Sequence, residues 1–177
     1  MEKLLSGIVC LLIFGLGLST SFAQSYDHEV EVKGMTFAWK IDGDTLHGKM
    51  SAKTEGWVAV GFNPSSKMKD ATYVLGFVKD GKAEIADHFG DKATGHSSDT
   101  KLGGTEDAVL VGGTEENGFT TIEFTYPMNS SDKYDSVLDK DGDTVLLLAY
   151  GPDKDSLKPR HKYKTSKTVN LGSGAVK

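Results

Sequence analysis

Residues 35–53, Met-Thr-Phe-Ala-Trp-Lys-Ile-Asp-Gly-Asp-Thr-Leu-His-Gly-Lys-Met-Ser-Ala-Lys, predict two β-strands joined by a tight turn. In the first half, every second residue from Met35 to Ile41 is apolar. Asp42-Gly43-Asp44 then supplies residues that favour a turn. In the second half, small or apolar residues from Leu46 to Ala52 alternate with polar ones. A period of two is typical of a strand with one buried face, so this stretch predicts a hairpin against a core.

Similar runs continue along the chain and indicate an all-β domain. The runs are Gly56–Phe62, Thr72–Val78, Ala83–Phe89, Asp107–Val111, Phe119–Tyr126, Thr144–Tyr150 and Lys167–Leu171. Short strands at this spacing favour an antiparallel sandwich or barrel. Helix is limited to one possible turn within residues 132–139. Residues 63–71 and 89–104 are predicted loops, and the second is long enough to suggest a functional or mobile segment.

The first 23 residues have the pattern of a secretory signal peptide. A charged start precedes the apolar run Leu4–Leu18, and Ser21 and Ala23 occupy the small positions of a cleavage site. A membrane anchor is the competing interpretation, but the run is shorter than the roughly 20 residues of a spanning helix. We therefore expect one domain over residues 24–177, a periplasmic or secreted location, and no membrane span after cleavage.

Charge and motifs exclude several classes of function. The formal net charge is −5, with 20 Lys and Arg against 25 Asp and Glu. Nucleic-acid binding needs clustered basic residues, so no nucleic-acid partner is expected. The sequence contains no Gly-x-Ser-x-Gly elbow, Walker loop or zinc-protease motif, so nothing predicts a hydrolase.

The stretch from Gly56 to Gly76 resembles the DOMON family. The resemblance rests on Gly-Trp-Val-Ala-Val-Gly-Phe-Asn-Pro at 56–64, Met-Lys-Asp-Ala at 68–71 and Tyr-Val-Leu-Gly at 73–76. It continues at Ile85-Ala86-Asp87 and returns where His161 precedes the last predicted strand. The family fold implied is an antiparallel, immunoglobulin-like β-sandwich, here of roughly ten strands. The similarity is to the haem-binding branch, which includes the cytochrome domain of cellobiose dehydrogenase.

In that branch a Met and a His are the axial ligands of haem iron, and the matching positions here are Met68 and His161. Thioether and imidazole ligands together raise the reduction potential of haem. The resemblance therefore implies an exported b-type cytochrome that transfers electrons and is not an enzyme. Haem b would be held non-covalently, because the single cysteine, Cys10, lies in the predicted signal peptide. Arg160 and Lys162 are candidate partners of the haem propionates.

The resemblance also implies a transient redox partner, either a soluble protein or a membrane oxidoreductase. The main alternative is a haem-free DOMON module that binds a sugar or another small ligand through aromatic side chains such as Phe89, Tyr150 and Tyr163. Trp57 and Tyr73 could also contribute, but their strong strand patterns place them in the core. An accessory subunit is a third possibility, since fold alone does not decide function.

Two further clusters of candidate ligands have weaker patterns. His88 and His96, with His28 and His47, could bind copper or zinc, although their spacing matches no standard site. Residues 139–143, Asp-Lys-Asp-Gly-Asp, superficially resemble a calcium loop but lack its later ligands, so a turn is predicted there.

Overall fold

The computed structural model describes residues 25–177, which form eleven strands and one short helix. The predicted signal peptide, residues 1–23, lies outside the described residues. The elements are β1 (His28–Val32), β2 (Met35–Asp42), β3 (Thr45–Ala52), β4 (Val58–Phe62), β5 (Thr72–Lys79), β6 (Lys82–Lys92), β7 (Gly95–Ser98), α1 (Asp99–Leu102), β8 (Val109–Glu116), β9 (Phe119–Pro127), β10 (Asp143–Tyr150) and β11 (Tyr163–Asn170).

The strands form two antiparallel sheets that pack face to face. One sheet has five strands in the order β1-β2-β3-β9-β8, and the other has six in the order β11-β10-β4-β5-β6-β7. This is the predicted sandwich. The predicted hairpin at residues 35–53 is also confirmed, with Met35 opposite Ala52 and Asp42 opposite Thr45.

The core lies between the sheets and is built from the alternating apolar residues. In β3 the inward residues, which include Leu46 and Met50, are all buried while their neighbours are half-exposed. Gly48 belongs to the inward set because the Phe124 ring lies directly over its Cα, where a side chain would overlap it. The Trp39 indole closes one end of the core and donates a buried hydrogen bond of 2.8 Å to the Leu171 carbonyl.

The prediction of a loop at residues 89–104 is wrong for most of that range. β6 continues to Lys92, β7 covers Gly95–Ser98, and α1 follows directly. Strand β7 has no alternation of apolar residues, so the sequence does not predict its pairing with β6. The segment expected to contain a helical turn holds a simple turn, in which the Asp135 amide donates to the Asp132 carbonyl at 3.2 Å.

The six-stranded sheet is buried on both faces at its centre. All five residues of β4 are buried, as are the first seven of β5. No helix in the described part of the chain is both long and apolar enough to cross a membrane. The covered outer face of this sheet is the structural setting of the candidate site.

Candidate functional site

An apolar cluster covers the outer face of the six-stranded sheet, on the side away from the main core. We call it the outer cluster, and its buried members are Trp57, Ala59, Ala71, Tyr73, Leu75 and Phe77. The side chains of Met68, Leu147, Ala149 and Leu157 pack against it. The outer face of a sandwich is usually polar and solvated, so an apolar cluster there indicates a surface with another use.

Small residues make the middle of this face flat. One row across the sheet runs from Ala149 through Ala59 and Leu75 to Ala86. In the next row Gly61 lies beside Tyr73, whose ring occupies the space where a glycine side chain would be. A face of this shape suits a flat, apolar group.

The loop that carries Met68 is fixed to the β6–β7 hairpin through its backbone. The Met68 amide donates to the Ala93 carbonyl at 3.3 Å, and the Asp70 amide donates to the Gly90 carbonyl at 2.8 Å. The Tyr73 hydroxyl donates to the Met68 carbonyl at 3.2 Å. Burial raises the pKa of Tyr73 above its usual value, so the hydroxyl keeps the proton that it donates. Met68 therefore has a defined position at the edge of the outer cluster.

The second loop, residues 151–162, is closed at its base and tied to Trp57. The Lys162 amide donates to the Tyr150 carbonyl at 2.8 Å, which brings the two ends of the loop together. The Trp57 indole donates to the Pro159 carbonyl at 3.1 Å, and the Trp57 carbonyl accepts from the Gly151 amide at 2.8 Å. This loop delivers His161 to the start of β11.

The structure thus brings the two sequence-predicted ligand loops to one face. Met68 contacts the outer cluster directly, while the loop of His161 contacts it through Leu157 and Trp57. His161 is half-buried. Burial, followed by the positive charge of Lys164, lowers the pKa of His161, which favours the neutral imidazole that can bind a metal.

The basic residues beside His161 differ in their surroundings. Arg160 and Lys162 are both exposed, as expected for partners of an anionic group at the rim. Lys162 also lies near Asp153. Hydrogen bonds from the Glu55 amide and the Thr54 hydroxyl lower the pKa of Asp153, and the positive charge of Lys162 lowers it further. Sequence reasoning missed Lys164, which lies opposite Ala149. Its position follows only from the register of β10 and β11.

The four histidines proposed as an alternative metal site do not gather. His28 bonds the Gly172 carbonyl, and His47 lies in the five-stranded sheet. His88 and His96 do meet, with their Nδ1 atoms 2.7 Å apart. Burial, then the neighbouring imidazole, lowers the pKa of His88 to about 4, and burial also lowers that of His96, so both rings are neutral at neutral pH.

The aspartates at 139–143 form a local turn, as predicted. The Asp139 carboxylate accepts the Asp141 amide at 2.9 Å, which is a common way for Asp to close a turn. A surface cavity of about 360 Å³ lies elsewhere, on the five-stranded sheet beside Tyr26 and Lys49.

The described chain is thus a sandwich of two antiparallel sheets with an apolar outer face flanked by two loops. Residues 31–151 match the model of the DOMON domain, and the chain belongs to the DOMON family. The resemblance seen at residues 56–76 is thereby confirmed.

Two solved structures have the same fold. The cytochrome b domain of pyranose dehydrogenase from Coprinopsis cinerea superposes with a TM-score of 0.59 at 15% identity, covering 79% of this chain and 78% of that chain. The cytochrome domain of Myriococcum thermophilum cellobiose dehydrogenase gives a TM-score of 0.56 at 11% identity, covering 81% and 77%.

A curated human relative, DBH-like monooxygenase protein 1, is 27% identical over 146 residues, which cover 79% of this chain. The match spans only 23% of that protein, so this chain corresponds to a minor part of its length.

Proposed function

We propose that this protein is an exported b-type cytochrome that carries electrons, with haem b held non-covalently against the outer cluster by Met68 and His161. One observation carries the proposal: the loop of Met68 and the loop of His161, far apart in sequence, both contact the same apolar cluster. Met68 would supply a thioether and His161 an imidazole. These are the donors that a six-coordinate cytochrome of this kind requires. The cytochrome domains with the same fold belong to dehydrogenases, which supports a redox role.

The residues present fit a flat cofactor with charged propionates. Ala59, Ala86 and Ala149 keep the centre of the face level, so an aromatic macrocycle would meet carbon atoms over a wide area. Arg160, Lys162 and Lys164 supply positive charge at one edge, where propionates would be neutralised.

Bound haem would supply a one-electron couple, and the chain would supply position and environment. Met68 and His161 would hold the haem iron. The protein would then act without catalysis of its own, by brief contact with a soluble or membrane-bound redox partner.

Visible spectra of the exported protein, purified with haem supply ensured, test this proposal. We expect a Soret band and, after dithionite reduction, sharp α and β bands. Met68→Leu and His161→Gln should each abolish the sharp bands, because leucine keeps the packing but has no thioether and glutamine has no imidazole. Met128→Leu and His47→Gln are matched controls on other parts of the sandwich and should leave the spectrum unchanged.

A folded protein with no Soret band before or after haem addition would refute the cytochrome. A normal spectrum in both ligand variants would refute the two assignments while leaving haem binding intact. The haem-free sugar module would gain support from oligosaccharide binding by the colourless protein.

A further inference from the structure

A group of carboxylates from separate parts of the sequence meets at one edge of the sandwich. One ligand oxygen from each of Asp87, Asp107 and Asp135 lies within 4.8 Å of the others. Asp99 lies close to the same group, because the charges of Asp135, Asp132 and Asp107 all act on its carboxyl. These residues come from β6, from α1, from the segment before β8 and from the segment after β9.

Several of these oxygens are buried without a hydrogen-bond partner. Asp87 and Asp99 are both 0% exposed. The Oδ2 atom of Asp87 accepts the amides of Asp107 and Ala108, at 3.0 and 3.2 Å, but its Oδ1 atom has no partner. Both carboxylate oxygens of Asp99 are likewise unpartnered. The Asp135 carboxyl accepts the Ser130 hydroxyl and lies beside the Tyr126 hydroxyl. Buried polar atoms are nearly always satisfied, so this set indicates a missing partner.

No salt bridge found within the described residues involves this group. The salt bridges found there involve Lys49, Lys92 and Lys177, each with an acidic residue outside the group. Burial raises the pKa of Asp87 to about 8. The negative charges of Asp135 and Asp99 act in the same direction, and the hydrogen bonds from the two backbone amides act against it. Burial and the neighbouring carboxylates raise the pKa of Asp99 to about 7. The group must therefore bind either protons or a cation at neutral pH.

We propose that Asp87, Asp107 and Asp135, with Asp99 beside them, bind a Ca²⁺ ion. The donor atoms are all hard carboxylate oxygens, which suit Ca²⁺. They do not suit zinc, which prefers nitrogen and sulfur ligands. Ca²⁺ tolerates an irregular shell completed by backbone carbonyls and water, whereas Mg²⁺ needs near-ideal octahedral geometry. The site is spatially separate from the proposed haem site, because Asp87 lies opposite the core residue Val74 and faces the interior of the sandwich.

The Ca²⁺ ion would link the two sheets at this edge. Asp87 belongs to the six-stranded sheet, and Asp107 leads into β8 of the five-stranded sheet. The physical consequence is that Ca²⁺ binds the folded chain and stabilises it by mass action.

Isothermal titration of the chelator-treated full chain with Ca²⁺, and separately with Mg²⁺, tests the site. We expect one Ca²⁺ per chain and much weaker Mg²⁺ binding. At a hundredfold excess over the Kd, Ca²⁺ should raise the Tm by about 5–10 °C. No binding heat and no Tm change up to millimolar Ca²⁺ would overturn the proposal and leave shared protons as the way the charge is neutralised.

The double variant Asp87→Asn, Asp135→Asn should lose the Ca²⁺-dependent rise in Tm, while Asp141→Asn, in the exposed turn, should keep it. Without Ca²⁺ the double variant should melt no lower than the wild type, because the amides remove repulsion and residue 87 still accepts two backbone amides. An equal Ca²⁺ effect in the double variant would refute the ligand assignment. If that variant does not fold, Tb³⁺ luminescence of the wild type, sensitised by the nearby Tyr126 and displaced by Ca²⁺, decides the same question.

Discussion

Gly90→Ala tests whether the position of Met68 determines haem ligation. Gly90 lies in β6, and a methyl group on its Cα would overlap the carbonyl oxygen of Met68 and lie 2.8 Å from the carbonyl carbon. The same methyl would lie 3.2 Å from the Ala71 amide nitrogen. Backbone atoms cannot swing aside as a flexible side chain does, so the Met68 loop must move away from the hairpin.

The size of the effect follows from these contacts. To reach ordinary contact distance, the Met68 carbonyl oxygen has to move by roughly 1.6 Å. That shift breaks the bonds between Asp70 N and Gly90 O and between Gly90 N and Ala71 O, both 2.8 Å long. At about 0.5–1.5 kcal/mol per hydrogen bond, the loss of unfolding free energy is about 1–3 kcal/mol. The ligand would be displaced although no ligand atom is removed.

The assay combines urea unfolding with the reduced visible spectrum. We expect Gly90→Ala to remain folded and to lose the sharp reduced bands. Gly56→Ala is the matched variant on the other loop, where a methyl would overlap the Pro152 carbonyl and displace the segment that carries His161. Gly112→Ala is the neutral control, since a methyl there meets no atom within 4 Å.

A Gly90→Ala protein that is destabilised by the expected amount but keeps an unchanged spectrum would refute the reasoning. It would mean that the ligand to the iron does not come from the loop clamped by Gly90. A Gly112→Ala protein with the same spectral loss would show instead that the assay responds to any change in the sandwich.

Three further predictions concern the loop, the core and acid stability. Trp57→Phe should cost about 0.5–1.5 kcal/mol, because it removes the bond to the Pro159 carbonyl, and faster proteolysis within residues 151–162 should report it. Met50→Ala should cost about 2–5 kcal/mol in urea unfolding, since its side chain is fully buried in the core. His88 and His96 have lowered pKa values in the folded chain, so their neutral forms stabilise it above about pH 6.5 and that stability is lost as the pH falls toward 4. Thermal melting should therefore fall less steeply with acid in His96→Asn than in the wild type, and equal slopes would contradict the assignment.

The sequence predicts a strand correctly where only one face of that strand is buried in the core. In β3, alternation named the buried set correctly because every second side chain points into the core. Strand β1 carries the same signal at Val30 and Val32, but it is short and was missed. Strand β7, Gly-His-Ser-Ser, has no signal of its own, because it exists only by pairing with the end of β6.

The candidate sites were predictable only as far as a local motif extends. Met68 and His161 came from the family resemblance, but the approach of their two loops to one sheet follows from the pairing of β10 with β4 and β11. The carboxylates of Asp87, Asp99 and Asp135 have no recognisable spacing, since three separate elements carry them. Tertiary contacts between distant segments create such a cluster, and no sequence window contains it.

Strand β6 links the two proposed sites physically. Asp87 and His88 are consecutive, so their side chains point to opposite faces, one into the carboxylate group and the other beside the outer cluster. Three residues after Asp87, the backbone of Gly90 clamps the loop of Met68. A Ca²⁺ ion that holds Asp87 in place would reduce the motion of the Gly90 backbone. Haem iron bound to Met68 would in turn favour the same backbone position. Because coupling between binding sites is reciprocal, any tightening of haem binding by Ca²⁺ must be matched by an equal tightening of Ca²⁺ binding by haem.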